Sequence, residues 1–158
     1  MKYLRFDTKK IVVLLVLVLA SCEYSDREYP LVIVNNSNKK LGVYLGYSGY
    51  TEYYYSDTTI CKTKPYTLDL FNQANEWIDH SRIEWKEHLT QLPKDTMSIF
   101  ILDMDTVNAN PWQKIRENYK ILKRYDLSIK DLEILDYRIP YPENTKMQNM
   151  KMYPKYGH

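Results

Sequence analysis

The chain has 158 residues and a formal net charge of +2, and its first 21 residues carry four basic side chains and one acidic one. The rest of the chain is therefore close to neutral and lacks the clustered positive charge that phosphate binding requires, so we expect no nucleic-acid partner. Hydrophobic residues make up 44% of the chain and charged residues 27%, which is typical of a globular protein and excludes a disordered one.

The N-terminal residues have the pattern of an export signal. Residues 11–19 are an unbroken apolar run that is too short to cross a bilayer, which takes about 20 residues, but has the length of a signal-peptide core. The following Leu19-Ala20-Ser21-Cys22 resembles the bacterial lipobox, whose cysteine is acylated before cleavage. The resemblance implies that residues 1–21 are a cleaved signal peptide and that acyl chains on Cys22 hold the protein on a membrane. An uncleaved apolar anchor is the alternative.

Three further regions are predicted after the lipobox. Residues 22–29 form a mildly acidic tether, which resembles the export signal of surface lipoproteins in the Bacteroidota and is equally consistent with a plain solvated linker. Residues 30–142 are predicted to form a single α+β domain. Residues 143–158 are polar, contain scattered methionines and show no periodicity, so we expect a loose C-terminal tail.

The first predicted elements are two strands. Residues 31–34 and 41–45 are apolar and flank an Asn- and Ser-rich turn, which predicts a β-hairpin. Residues 57–70 resemble a broken strand, and Pro65 would place such a strand at a sheet edge.

A short helix is predicted next, over residues 84–91, because Pro93 would end it. Residues 97–102 are apolar at every position but one, which predicts a central strand that is covered on both faces.

Two helix starts are predicted from capping signals. Asn110, followed by Pro111 and Gln113, has the pattern of an N-cap with a capping box. Ser128 and Asp131 form a second capping box and predict a short helix.

The last two predicted elements are a short helix and an edge strand. The second capping box begins a helix over residues 129–134, and residues 137–141 are predicted as a final edge strand because they contain Pro140. The fold class is therefore α+β, with an antiparallel sheet of about four to six strands and two or three short helices towards the C-terminus.

Tyrosine is concentrated in one segment, since six of the 16 tyrosines lie in residues 44–55. Tyrosine offers apolar area and a hydroxyl at a low entropic cost, which suits a binding surface, but it also suits the half-exposed face of a strand. The candidate binding residues of this segment are Tyr47, Tyr50, Tyr53, Tyr54 and Tyr55.

Cys61 is the second of the two cysteines. If Cys22 is acylated, no disulfide can form within the chain. Two interpretations of Cys61 stay open: a reactive nucleophile, or a small buried side chain on a strand.

Patterns that carry catalytic or metal chemistry are weak. Asp103 and Asp105 follow the predicted central strand and resemble the first motif of haloacid-dehalogenase phosphatases, but too little chain follows for that fold, and a strand-to-helix turn explains them as well. His80, Glu84 and His88 have the spacing of a helical metal site, although solvated side chains are the ordinary explanation. We predict no catalytic residue, no metal and no cofactor, with a phosphatase-like hydrolase as the remote alternative.

Three threonines lie in the middle of the pattern Asp-Ser/Thr-apolar, which resembles the O-glycosylation motif of Bacteroidota envelope proteins. The candidate sites are Thr58, Thr96 and Thr106. Asp-Thr pairs that stabilise turns are the structural alternative.

Residues 95–142 resemble a family of small lipoproteins from Bacteroides-like bacteria, through Asp95–Val107, Pro111-Trp112 and Ile139-Pro-Tyr-Pro142. The family brings no activity and no catalytic residue. We therefore predict a lipid-anchored envelope protein of the outer membrane, on either of its faces, that is not an enzyme and binds a glycan, a peptide or another envelope protein. A structural accessory subunit of a membrane assembly is the alternative.

Overall fold

The computed structural model describes residues 28–46, 59–64 and 76–158, and these residues form an α+β fold with its helices in the second half of the chain, as predicted. The strands are β1 (Tyr29–Asn35), β2 (Leu41–Leu45), β3 (Glu76–Ser81), β4 (Thr96–Asp103), β5 (Lys123–Ser128), β6 (Arg138–Tyr141) and β7 (Lys151–Tyr153). The helices are α1 (Trp85–Thr90), α2 (Met104–Ala109), α3 (Trp112–Glu117) and α4 (Ile129–Ile134). Short 3-10 turns at Pro93–Asp95 and Thr145–Met147 complete the described elements.

The strands are divided between two sheets. The first has the order β3-β1-β6 and the second the order β2-β4-β5-β7. All neighbouring strands are antiparallel except β1 and β6, which are parallel. The edge position predicted for the strand that contains Pro140 is confirmed, since β6 lies at the edge of the first sheet.

The predicted hairpin of β1 and β2 is wrong, because the two strands belong to different sheets. The Asn35 side chain organises the connection between them: its amide donates to the Lys39 carbonyl at 2.9 Å and its oxygen accepts from the Ser37 amide at 3.0 Å. A side-chain-stabilised turn of this kind redirects the chain as readily as a hairpin turn does. The turn therefore carries the chain from one sheet to the other.

The inner faces of the two sheets share one hydrophobic core. Leu31, Ile33 and Ile139 from the first sheet lie in the same buried cluster as Ile99 and Tyr125 from the second. Helices α1 and α4 close this core with Trp85, Leu89 and Leu132. The two sheets and these helices thus form the layered arrangement that α+β domains use to bury apolar strand faces.

Strand β4 confirms the prediction of a central strand that is covered on both faces. It pairs with β2 on one side and with β5 on the other, and its six middle residues are buried. Met97, Ile99 and Ile101 face the shared core, whereas Phe100 belongs to a second buried cluster on the opposite face of the sheet.

The capping predictions have different outcomes. Ser128 and Asp131 form the expected reciprocal capping box, and α4 spans the predicted residues. Asn110, in contrast, is the C-cap of α2, and α3 begins after Pro111 without a side-chain cap. The Asn110 amide donates to the Thr106 carbonyl at 2.7 Å, so its side chain serves the preceding helix.

The expectation of a loose C-terminal tail over residues 143–158 is wrong. Strand β7 pairs with β5, and Met147, Met150 and Met152 are buried. The buried Lys123 ammonium also binds the Glu143 carboxylate at 2.8 Å. The methionines show no single period because the segment changes from a 3-10 turn to a strand between them.

Candidate functional site

The outer face of the second sheet carries the main concentration of polar and aromatic side chains among the described residues. Strand alternation places Tyr44, Phe100, Arg124 and Tyr153 side by side in one row across the four strands. A second row contains Ser98, Asp126 and Lys151, and it begins beside Gly46. We call this surface the outer face.

Asp126 is the centre of the polar part of the outer face, and its side chain is 0% exposed. Its carboxylate accepts hydrogen bonds from Arg124 Nε at 2.9 Å and Arg124 Nη2 at 3.1 Å, and from Ser98 Oγ at 2.8 Å. Lys151 Nζ lies 3.3 Å from the same carboxylate. A buried carboxylate needs this degree of pairing, because an isolated buried charge is very unfavourable.

Two tyrosines extend this network towards solvent. Arg124 Nη1 donates to the Tyr119 hydroxyl, and the Arg124 guanidinium lies 6.0 Å from the centre of the Tyr153 ring. The Tyr119 and Tyr153 rings meet edge to face at 5.5 Å. Tyr153 remains 51% exposed. The outer face therefore presents an aromatic ring, Tyr153, that contacts Arg124 and Tyr119 and that solvent can reach.

The other end of the outer face is a buried aromatic cluster. Tyr44 stacks on Phe100 at 4.6 Å between ring centres, and Trp112 from α3 packs edge-on against Tyr44 at 6.5 Å. The Tyr44 hydroxyl is buried and has no hydrogen-bond partner within the described ranges, and burial raises its pKa. Tyr44, the first tyrosine of the tyrosine-rich segment, is thus a core residue.

Cys61 lies in the same aromatic cluster. The thiol is buried and donates to the Thr63 carbonyl at 3.1 Å. Burial raises the pKa of this thiol to about 11, which suppresses the thiolate that a nucleophile requires. The interpretation of Cys61 as a small buried side chain therefore fits its surroundings, although residues 59–64 do not form the strand that was expected there.

The described residues on either side of residues 47–58 are held by the second sheet at one end and by α3 at the other. The Gly46 amide donates to the Ser98 carbonyl at 2.6 Å, and a Cβ at Gly46 would lie only 3.1 Å from Ser98, so a larger residue there would have to displace Ser98 slightly. At the other end, Trp112 Nε1 donates to the Cys61 carbonyl at 2.9 Å and Arg116 Nε to the Ile60 carbonyl at 3.2 Å. The candidate residues Tyr47, Tyr50, Tyr53, Tyr54, Tyr55 and Thr58 lie outside the described residues, as does Cys22.

Asp103 has a structural role at the junction of β4 and α2. Its carboxylate caps α2 by accepting from the Asp105 and Thr106 amides at 2.9 and 3.4 Å, and it forms an ion pair with Lys39 at 2.8 Å. The hydrogen bond from Lys39 lowers the pKa of Asp103. The strand before it, β4, has antiparallel neighbours on both sides, whereas the phosphatase motif belongs to a parallel sheet. The predicted turn, in which Asp103 satisfies backbone groups, is confirmed.

The His80, Glu84 and His88 set does not share a helical face. His80 lies on β3, Glu84 is the N-cap of α1 and His88 lies within α1. His88 Nε2 instead lies 2.8 Å from Ser81 Oγ, in a turn where the Ser81 hydroxyl donates to the Ile83 carbonyl. In the part of the chain that the structure describes, no group of three or more His, Cys, Asp or Glu side chains is placed to hold a metal ion.

Two predicted glycosylation sites lie within the described ranges. Thr96 and Thr106 are both partly exposed, at the start of β4 and within α2. The Thr96 hydroxyl donates to the Lys94 carbonyl at 2.8 Å.

The polar network around Asp126 was missed in the sequence. The one available signal was the alternation of residues 123–128, in which Arg124, Asp126 and Ser128 share a strand face. Such a face is normally solvated, and only the pairing of β5 with β4 and β7 shows that it is buried.

The comparisons with known proteins found no matching family model, no matching curated protein and no matching solved structure. No helix among the described residues is long and apolar enough to span a membrane.

Proposed function

We propose that this chain is a lipid-anchored protein of the bacterial cell envelope, similar to small Bacteroides-type lipoproteins, that binds a glycan without chemical turnover. The single observation that carries the binding role is the half-exposed Tyr153 ring, fixed by Arg124 and Tyr119 on the outer face. Gly46, the last described residue before residues 47–58, is also attached to this sheet.

The lipid anchor rests on the sequence Leu19-Ala20-Ser21-Cys22 after an apolar run. The first strand that the structure describes, β1, begins at Tyr29, seven positions after Cys22. The six residues between Cys22 and Tyr29 allow a distance of about 25 Å at most between the two Cα atoms, which keeps the start of β1 near the membrane surface.

A glycan is the ligand class that the outer face favours. Sugar rings present apolar faces that stack on aromatic side chains, and their hydroxyls bond to charged side chains at the rim. Tyr153 supplies the aromatic face, and Lys151, whose side chain is 57% exposed, lies beside it. The proposal extends to Tyr47, Tyr50, Tyr53, Tyr54 and Tyr55 on the basis of the sequence alone, because they carry the same aromatic chemistry.

The test of glycan binding is a screen of envelope and host glycans against the purified protein. Tyr153→Ala should weaken binding of any hit at least about tenfold, the loss of roughly one aromatic contact. Ile134→Ala is the matched control, because Ile134 has a similar exposure of 54% but lies on α4. Unchanged binding after Tyr153→Ala, and after Tyr50, Tyr53 and Tyr55 are all replaced by alanine, would reject this surface. Capture of a peptide or an envelope protein in place of a glycan would correct the ligand class.

The anchor and the modification need a separate measurement, the intact mass of protein extracted from membranes. A mass that starts at Cys22 with acyl chains is expected, together with cleavage by external protease if the protein faces outwards. Additional hexose mass would support glycosylation at Thr58, Thr96 or Thr106. An unmodified mass would contradict both proposals. Stoichiometric capture of one membrane partner, without glycan binding, would favour the accessory-subunit alternative.

A further inference from the structure

Strand β3 is an edge strand whose outward-pointing backbone groups can be identified from the register. The Val32 amide of β1 donates to the Tyr137 carbonyl, on the β6 side. Because the backbone groups of successive strand residues point in opposite directions, Leu31 and Ile33 bond towards β3. Their partners are Asp79 and Trp77.

It follows that Glu76, Ile78 and His80 direct their amide and carbonyl groups away from β1, towards the edge that no other described strand covers. Among the described strands, β3 has only β1 as a neighbour. An edge of this kind is a template for pairing with another strand.

The same three residues also place their side chains on the outer side of the first sheet, opposite to the buried Trp77. Ile78 is 45% exposed, so its apolar side chain is accessible to a strand that pairs with this edge. His80 and Glu76 flank Ile78 at equal distances along the strand.

We propose that β3 pairs with β3 of a second copy of this chain, antiparallel and centred on Ile78. A two-fold axis at Ile78 places the two Ile78 side chains against each other and Glu76 of each copy opposite His80 of the other. All three positions then form hydrogen-bonded pairs and supply about six backbone hydrogen bonds. The two three-stranded sheets become one six-stranded sheet with the order β6-β1-β3-β3-β1-β6.

The charges of the two edges are complementary in this register. Within one copy, His80 Nδ1 lies 2.8 Å from a Glu28 carboxylate oxygen, and Glu76 accepts from Arg138. Pairing brings Glu76 of one copy between its own Arg138 and His80 of the other. Acidic and basic groups therefore alternate across the interface between the two β3 strands. A register shifted by two residues would instead place Ile78 opposite a charged side chain.

The interface is small, since it consists of one strand edge from each copy. Contacts of this size belong to the weak, reversible class, so we expect a dimer that dissociates on dilution. The experiment must distinguish this dimer from two alternatives. In one, β3 pairs with a strand of a different protein; in the other, the chain is a monomer at every concentration.

The first test is disulfide cross-linking of Ile78→Cys in the full chain in native membranes. The Cα atoms of a hydrogen-bonded antiparallel pair lie about 5.5 Å apart, within the range that a disulfide spans. We expect a cross-linked dimer that disappears on reduction. Ile134→Cys is the control for an equally exposed isoleucine elsewhere. The parent chain, which keeps Cys22 and Cys61, shows any background from those thiols.

The register is tested with Glu76→Cys and His80→Cys. Like positions would lie four residues apart across the axis, about 14 Å, so neither variant should cross-link to itself. Co-expression of the two variants should give the mixed dimer. Self-linking of either variant with no mixed product would overturn the register, and cross-linking of the Ile78→Cys variant to a different protein would overturn the choice of a second copy.

Ile78→Lys tests the association without any cross-link. Two lysines would face each other at the axis, and like charges directly opposite on paired strands destabilise the pair. Sedimentation of the detergent-solubilised chain should show at least tenfold weaker dimerisation than the parent, while Ile134→Lys should not change it. Circular dichroism shows whether both variants are folded. A parent chain that sediments as a monomer up to millimolar concentration, with no cross-linked dimer of the Ile78→Cys variant in membranes, would reject the proposal.

Discussion

Replacing Asp126 by leucine should strongly destabilise the fold. The Asp126 side chain is 0% exposed and that of Arg124 is 9% exposed. The substitution leaves the Arg124 guanidinium without its bidentate carboxylate, and breaking a buried ion pair from one side costs about 3–5 kcal/mol. Lys151, with its side chain 57% exposed, can return to water, so its contribution is small.

The cost of removing Asp126 from Arg124 differs from the net contribution of the ion pair to stability. When Arg124 and Asp126 are both replaced by leucine, no buried charge remains unpaired, and such replacements are often close to neutral. The double variant should therefore be more stable than Asp126→Leu alone, with a coupling free energy of at least about 2 kcal/mol. Asp105→Leu, at an exposed carboxylate on α2, is the control and should change stability by about 0.5 kcal/mol or less.

Urea unfolding followed by tryptophan fluorescence and circular dichroism measures these free energies. Trp85 and Trp112 lie in different buried or partly buried clusters, so coincident transitions also test whether the molecule unfolds in one step. A loss of less than about 1 kcal/mol for Asp126→Leu, or a double variant no more stable than Asp126→Leu, would refute the account of Asp126 as the obligatory partner of a buried cation.

Three other predictions concern the C-terminal segment, a helix cap and the buried thiol. Burial by itself would raise the pKa of Glu143, but the hydrogen bonds from Lys123 and from backbone amides together lower it. The stability from these contacts is therefore present above the ordinary glutamate pKa and is lost as the pH falls through the lowered pKa. In Glu143→Gln, the loss of stability with falling pH should be shallower. Ser128→Ala should cost about 1 kcal/mol in thermal unfolding, because it removes the α4 cap. Cys61 should react with a maleimide reagent only after denaturation, since it is buried with a raised pKa; rapid labelling of the folded protein at Cys61 would contradict its placement.

The elements that the sequence predicted well have their causes within a few neighbouring residues. The capping box of Ser128 with Asp131 sets the start of α4, and the apolar residues on both faces of β4 fit a strand that is covered on both sides. Strand β3 was not predicted, because its six residues mix Trp77 and Ile78 with four polar side chains and match no simple apolar pattern. Trp77 is buried because β3 pairs with β1, and the residues of β3 alone do not reveal this pairing.

The candidate site was less predictable than the fold because its interactions join distant parts of the chain. Ser98, Asp126 and Lys151 come together only through the pairing of β4, β5 and β7. A strand with alternating charges looks solvated when its neighbours are unknown. Tyr44 shows the opposite error, because a residue grouped with a binding segment is packed on Phe100 in the core.

The pairing of β1 has a consequence for the order in which the molecule can be built. Tyr29 pairs with Ser81, and Val32 pairs in parallel with Arg138, so the first strand of the fold is completed by one of the last. Contacts between such distant residues form slowly, since a long loop must close first. A chain emerging from a ribosome or a translocation channel by its N-terminus must therefore keep β1 incomplete until nearly all of its residues have appeared. Any chain that is interrupted before β6 retains an apolar strand with one open side, which is a recognisable mark of unfinished synthesis for chaperones and proteases.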